Sequence, residues 1–101
     1  MTETQAQASV VLTHEVGLHA RPSVKLTKLA KTFDSAIELA VSPEGPWIDA
    51  KSIVKVMAAK ARKDSTLHFR ATGSDAEEAV RALSSLVASD FDESHAGAAA
   101  G

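Results

Sequence analysis

A histidine and an arginine just before a proline are the residues of this chain whose types and spacing best fit chemistry. They lie in the stretch Gly17-Leu18-His19-Ala20-Arg21-Pro22-Ser23. Pro22 suits the first turn of a helix and disfavours helical backbone before it, so we expect His19 to Arg21 in a loop or cap. A neutral imidazole is a nucleophile, and a helix N-terminus attracts anions. From the residues alone, a histidine before a helix is more often a cap or a surface residue than a nucleophile. The functional alternative is a histidine that takes up a phosphoryl group, whose charge Arg21 and the helix N-terminus at Pro22 and Ser23 would hold.

The composition is that of one modest globular domain. The chain has 101 residues, 45% of them hydrophobic, a net charge of −2 and no cysteine. The missing cysteine excludes disulfides, thiolate catalysis and cysteine-based metal sites. A charge so near balance gives no indication of a nucleic-acid or membrane surface. The N-terminus does not have the pattern of a signal peptide, and no apolar run is long enough to span a membrane. We therefore expect a cytoplasmic protein without metal or cofactor.

Hydrophobic periodicity predicts seven elements, in the order strand, helix, strand, strand, helix, strand, helix. They are a strand at 10–13, a helix from Pro22, strands at 37–42 and 47–51, a helix after Ser52, a strand at 66–72, and a helix from a capping box at 74–77 to Val87. Each strand has one apolar face, which predicts an α+β fold with one antiparallel sheet covered by helices on one side. We expect residues 1–6 to be frayed, 7–91 to form a single domain, and 92–101 to be a disordered tail.

The second helix is predicted to be short and apolar on nearly every side. Ser52 is a good N-cap, and Ile53, Val54, Val56 and Met57 follow it. A small domain buries only part of such a helix, so the remainder should form an exposed apolar patch that marks a partner surface.

Basic residues follow both of the first two helices. Lys25, Lys28 and Lys31 lie together off the apolar stripe of the first helix, where they form either a solvated face or a docking surface for an acidic partner. The segment after the second helix is also basic, with Lys60, Arg62 and Lys63. The other histidines, His14, His68 and His95, are interpreted as surface residues.

Two motifs resemble those of the histidine-containing phosphocarrier family HPr of bacterial phosphotransferase systems. The first is the stretch from Gly17 to Ser23, and the second is Lys51-Ser52-Ile53-Val54-Lys55-Val56-Met57. The similarity extends from about Val10 to about Phe91. It implies the HPr-like open-faced β-sandwich, in which three helices lie on one face of a four-stranded antiparallel sheet.

The resemblance also implies a phosphoryl relay rather than an enzyme. Enzyme I, charged by phosphoenolpyruvate, would phosphorylate His19 at Nδ1, and the group would pass to a histidine of an EIIA-type domain. The family's regulatory serine corresponds to Ser52, which implies a possible partner in an HPr kinase/phosphorylase. The implied carrier is a monomer. Its implied partner-binding residues are Ala20, Ile53, Val54 and Met57, with Lys28 and Lys31 as the basic face beside them.

Several departures from the common family pattern leave the pathway open. Lys55 stands where a glycine is usual, the segment 58–64 replaces a glycine-bearing turn, and the hairpin at 42–47 is longer. The ending 89–93 resembles nitrogen-related members of the family. Sugar transport, nitrogen-type signalling and dihydroxyacetone-type phosphorylation therefore remain alternatives. So does a regulatory binding module that acts through Ser52 and the apolar patch without any relay.

Overall fold

The computed structural model describes residues 4–13, 20–89 and 91, and its seven elements follow the predicted order. They are β1 (Gln5–Val11), α1 (Ala20–Ala30), β2 (Ala36–Ala40), β3 (Ile48–Asp49), α2 (Ile53–Ala58), β4 (Thr66–Thr72) and α3 (Ala76–Ala88). The order βαββαβα is confirmed. His14, His19, His95 and the predicted tail at 92–101 lie outside the described residues.

The four strands form one antiparallel sheet in the order β1-β4-β2-β3. The central strand β4 shows why one face is covered, because Leu67, Phe69 and Ala71 are buried while the residues between them are half-exposed. The buried set packs with the apolar stripes of the helices, and the opposite face stays open. The predicted α+β open-faced sandwich is confirmed.

The first strand begins earlier than its sequence pattern indicates. We expected a strand at 10–13 and a frayed segment at 1–6, but β1 begins at Gln5, which pairs with Thr72, and ends at Val11. Its exposed positions include Gln5, Gln7 and Ser9, and alanines lie between them. Because both sets are small or polar, the alternation carries little hydrophobic signal.

The return strand β3 is much shorter than the predicted 47–51 and contains only Ile48 and Asp49. Trp47 lies just outside this strand, and its ring packs beneath the guanidinium of Arg70, 4.1 Å from the ring centroid. The Nε of Arg70 also donates to the Oε1 of Glu38 at 2.7 Å. Trp47 thus covers part of the open face of the sheet.

The N-terminus of α3 lacks the predicted capping box. Asp75 occupies the N-cap position, but its side chain makes no cap hydrogen bond. Its carboxylate instead accepts hydrogen bonds from the backbone N–H groups of Asp34 and Ser35, both at 2.9 Å, and from the Ser35 hydroxyl. Asp75 therefore joins α3 to the turn before β2, a distant contact that local spacing cannot reveal.

The remainder of α3 agrees with its predicted stripe, since Ala76, Ala79, Val80, Leu83 and Val87 are buried. Beyond this helix, Phe91 is fully buried in the same core. The carbonyl oxygen of Phe91 accepts a hydrogen bond from the Nζ of Lys25 at 2.9 Å, which connects this end of the chain to α1.

Candidate functional site

The first turn of α1 lies directly after the predicted nucleophile. The helix begins at Ala20, so His19, which is outside the described residues, is the residue immediately before it. The expectation that Arg21 precedes the helix is wrong, because Ala20 and Arg21 are both helical. Pro22 still falls in the first turn, where a backbone N–H has no acceptor within the helix. Arg21 is therefore helical, although a residue that precedes a proline usually prefers extended backbone.

The side chains of this first turn divide into an exposed and a buried pair. Ala20 and Arg21 are exposed, whereas Pro22 and Ser23 are buried. The guanidinium of Arg21 adds a full positive charge to the positive end of the helix dipole. Any contribution of Pro22 and Ser23 is therefore one of backbone position, since both side chains face inward.

One exposed face of α1 carries a residue that the sequence analysis did not single out. Val24 is 40% exposed, one turn after Ala20 and one turn before Lys28, with Lys31 next along the same face. The sequence did indicate this exposure, because Val24 lies on the side of the helix opposite the apolar stripe, where a valine cannot be buried in the core. Lys25 lies off this face and donates to the carbonyl of Phe91.

The helix α2 presents the predicted apolar patch. Val56 is fully buried, whereas Val54 is 73% exposed, Met57 is 40% exposed and Ile53 is half-buried. Ser52 has the expected N-cap role, since its Oγ accepts a hydrogen bond from the backbone N–H of Lys55 at 3.3 Å. α1 and α2 pack against each other, so the exposed apolar side chains belong to neighbouring helices.

A family model described as "PTS HPr component phosphorylation site" matches residues 6–89. The chain belongs to the HPr family. It is 41% identical to the phosphocarrier protein HPr of Cupriavidus necator over 87 residues, which are 86% of this chain and 96% of that relative. It is 35% identical to the phosphocarrier protein NPr of Escherichia coli K12 over 85 residues, which are 84% of this chain and 93% of that relative.

The solved structures agree with this assignment. The crystal structure of HPr-C-His from Thermoanaerobacter tengcongensis superimposes with a TM-score of 0.80 at 31% identity. The superposition covers 87% of this chain and 97% of the HPr-C-His chain. The chain is thus an HPr/NPr-like phosphocarrier.

Two of the departures from the HPr pattern meet in one cleft between α2 and the β2–β3 hairpin. The cleft has a volume of about 650 Å³ and includes Trp47, from the longer hairpin, and Lys55, from the position where HPr proteins usually have glycine. Its other walls are mainly aliphatic, with Leu39 and Ile48 among them. The sequence alone identifies both departures, but only the fold shows that they are adjacent.

The open face of the sheet carries His68, the one histidine among the residues that the structure describes. The Nδ1 of His68 shares a hydrogen bond of 2.9 Å with the Oγ of Ser9. Nearby, a hydrogen bond from Ser42 lowers the pKa of Glu44. The backbone N–H of Glu44 and the charge of His68 lower this pKa further. His68 thus lies on the face opposite the helices.

Within the described ranges 4–13, 20–89 and 91, no three His, Cys, Asp or Glu residues are placed to hold a metal ion. In the same ranges, no helix has the length and apolar character needed to cross a membrane.

Proposed function

We propose that this chain accepts a phosphoryl group from phospho-enzyme I on the Nδ1 of His19 and passes it to an EIIA-type domain. The observation that carries the proposal is the start of α1 at Ala20, the next residue after His19, with Arg21 exposed in the first turn. A charged side chain and a helix N-terminus supply fixed positive potential where the phosphoryl group would reside.

The chemistry required of the chain is small. A bond forms between the phosphorus and the Nδ1 of His19 as the bond from the phosphorus to the donor breaks, and the reverse exchange delivers the group to the acceptor. The imidazole must be neutral at Nδ1 to attack. Arg21 stabilises the phosphoryl oxygens through charge-assisted hydrogen bonds and forms no covalent bond itself.

The exposed apolar face of α1 and α2 supplies the docking surface in this proposal. Val24 joins Ala20, Val54 and Met57 there, half-buried Ile53 lies beside them, and Lys28 and Lys31 follow along α1. Donor and acceptor would use this surface in turn, which favours a cytoplasmic monomer that leaves it uncovered between encounters.

The second candidate is a regulatory binding module that acts through the same α2 patch. It is favoured by the position of Ser52, which caps α2 directly before exposed Val54. A phosphate on Ser52 would add negative charge beside this patch and oppose binding of a partner that docks through apolar contacts. Under this alternative His19 would not carry a phosphoryl group.

Intact-mass analysis separates the two candidates. The chain is mixed with phosphoenolpyruvate, magnesium and a purified enzyme I, in parallel with His19→Ala and with His68→Ala as a second histidine variant. We expect the native chain and His68→Ala to gain one phosphoryl group that is acid-labile and alkali-stable, as a phosphoramidate is. His19→Ala should gain none.

A native chain that gains no phosphoryl group from any cognate enzyme I would overturn the relay and leave the regulatory module. Equal labelling of His19→Ala and the native chain would show that another residue is the acceptor.

A further inference from the structure

The loop between α2 and β4 carries three exposed cations close together in sequence. Residues 59–65, here called the basic loop, include Lys60, Arg62 and Lys63, all exposed, and Asp64 offsets one of their charges. Within the described part of the chain, no hydrogen bond or ion pair holds these three cationic side chains. The chain has a net charge of −2, so this cluster is a positively charged region on a protein whose overall charge is negative.

The backbone of the basic loop is firmly held. The N–H of Lys60 donates to the carbonyl of Met57 at 3.2 Å, and that of Asp64 donates to the carbonyl of Leu12 at 2.7 Å. Leu12 in turn donates to the carbonyl of Ser65 at 2.8 Å. Ala61 is almost fully buried and anchors the middle of the loop in the core. The cationic side chains therefore project from a fixed frame.

These hydrogen bonds also connect the loop to the α2 patch and to the end of the chain segment that precedes His19. Met57 belongs to the exposed patch of α2, and Leu12 lies two residues before the segment 14–19 that contains His19. The next strand, β4, begins at Thr66, which pairs with Val11 at the end of β1. The basic loop is thus at the end of the sheet from which the chain leaves for His19.

We propose that the basic loop binds an acidic surface of the phosphoryl donor, enzyme I, and accelerates its encounter with the unphosphorylated carrier. This inference rests on the relay proposed above. A positive surface beside an apolar one favours a partner with a complementary acidic rim, and such complementarity acts mainly on the association rate.

The donor is assigned rather than the acceptor because the two partners meet different forms of the carrier. The donor meets the unphosphorylated chain, whose positive potential is complete. The acceptor meets the phosphorylated chain, to which the phosphoryl group has added close to two negative charges. Electrostatic attraction to an acidic surface is therefore strongest for the donor and weakens once transfer has occurred.

The test measures the association rate constant of the unphosphorylated chain with enzyme I by stopped-flow fluorescence at low and high salt. The variant Arg62→Gln/Lys63→Gln removes two positive charges and leaves Lys60, whose φ of 54° lies in the left-handed region, unchanged. Arg81→Glu changes the net charge by the same amount on an exposed position of α3. Thermal unfolding of both variants confirms that they fold.

At an ionic strength of about 0.01 M we expect the double variant to associate about three to ten times more slowly than the native chain. The difference should disappear near about 1 M, where the Debye length is about 3 Å. Arg81→Glu should retain most of the native rate. Equal slowing of the two variants would overturn the proposal, because the association rate would then depend only on the net charge. No slowing of the double variant would overturn it too, because the charges of the basic loop would then not affect association.

A second arm repeats the measurement with the phosphorylated chain and an EIIA-type acceptor. A smaller effect of Arg62→Gln/Lys63→Gln there supports the assignment to the donor, and an equal or larger effect overturns it. Intact mass distinguishes this failure from that of the relay. If the native chain is phosphorylated by enzyme I but the double variant associates at the native rate, the relay stands and the role of the basic loop fails.

Discussion

A single carboxylate, that of Asp75, joins two turns of the chain that lie 41 residues apart. It accepts hydrogen bonds from the backbone of Asp34 and from both the backbone and hydroxyl of Ser35. The hydroxyl of Ser35, followed by the N–H of Asp34, lowers the pKa of Asp75 from its ordinary value of 3.8. Gly73 completes this joint, because a Cβ there would lie 2.7 Å from the Cα of Ser35.

The lowered pKa of Asp75 predicts a specific pH dependence of stability. The folded state favours the ionised carboxylate, so its contribution is complete above the unfolded pKa and is lost as the pH falls through the lowered folded pKa. We expect Asp75→Asn to unfold at a lower temperature than the native chain at neutral pH. The gap in Tm should narrow as the pH falls from about 5 to about 2.

Circular dichroism melts across this pH range provide the measurement, and Asp34→Asn is the matched control because only the backbone of Asp34 binds the carboxylate. A gap in Tm that stays constant down to the lowest pH would show that ionisation of Asp75 does not stabilise the joint.

The short helix α2 divides its apolar side chains between the core and the exposed patch. Its six residues are too few for a stable isolated helix, so packing and the cap of Ser52 must hold it. Val56 supplies the packing and is fully buried, whereas Val54, two residues earlier, is 73% exposed. The same residue type therefore has opposite roles on opposite sides of one short helix.

This division predicts that two identical truncations have opposite effects. Val56→Ala removes buried methyl groups and should lower the free energy of unfolding by about 2 kcal/mol, while phosphoryl transfer at low temperature stays near the native rate. Val54→Ala should leave stability within about 0.5 kcal/mol but raise the KM for enzyme I about threefold to tenfold.

Urea unfolding and initial rates of phosphoryl transfer measure the two quantities on the same preparations. If Val54→Ala kept the native KM, the exposed patch of α2 would not be the docking surface.

Across the fold, strongly periodic segments were predictable from the sequence and long-range contacts were not. The stripe of α3 and the alternation of β4 specify both elements, because each pattern repeats over several turns or pairs. The start of β1 was missed because Gln5 and Ala6 have little hydrophobic contrast. The partner of Asp75 was missed because local spacing contains no information about a turn 41 residues away.

The candidate site shows the same limit. The N-cap role of Ser52 and the exposure of Val54 follow from local pattern and helix size. The position of the basic loop depends on hydrogen bonds between Asp64 and Leu12, residues that only the completed sheet brings together. His19, Arg21 and Ser52 were identified through their motifs, and their roles in phosphoryl transfer and regulation stay predictions.

Phe91 anchors the chain beyond α3 to the core. Its side chain is fully buried, and its carbonyl accepts the hydrogen bond from Lys25 on α1.

Two truncations that differ by this residue alone test the anchor. A chain that ends at Phe91 keeps the ring, and its terminal carboxylate can still accept from Lys25, so its free energy of unfolding should stay within about 0.5 kcal/mol of the full chain. A chain that ends one residue earlier loses the ring and the acceptor, and should lose about 3 kcal/mol or more. Equilibrium unfolding in urea gives both values. Equal stability of the two truncated chains would show that the buried ring does not hold α1 and α3 together.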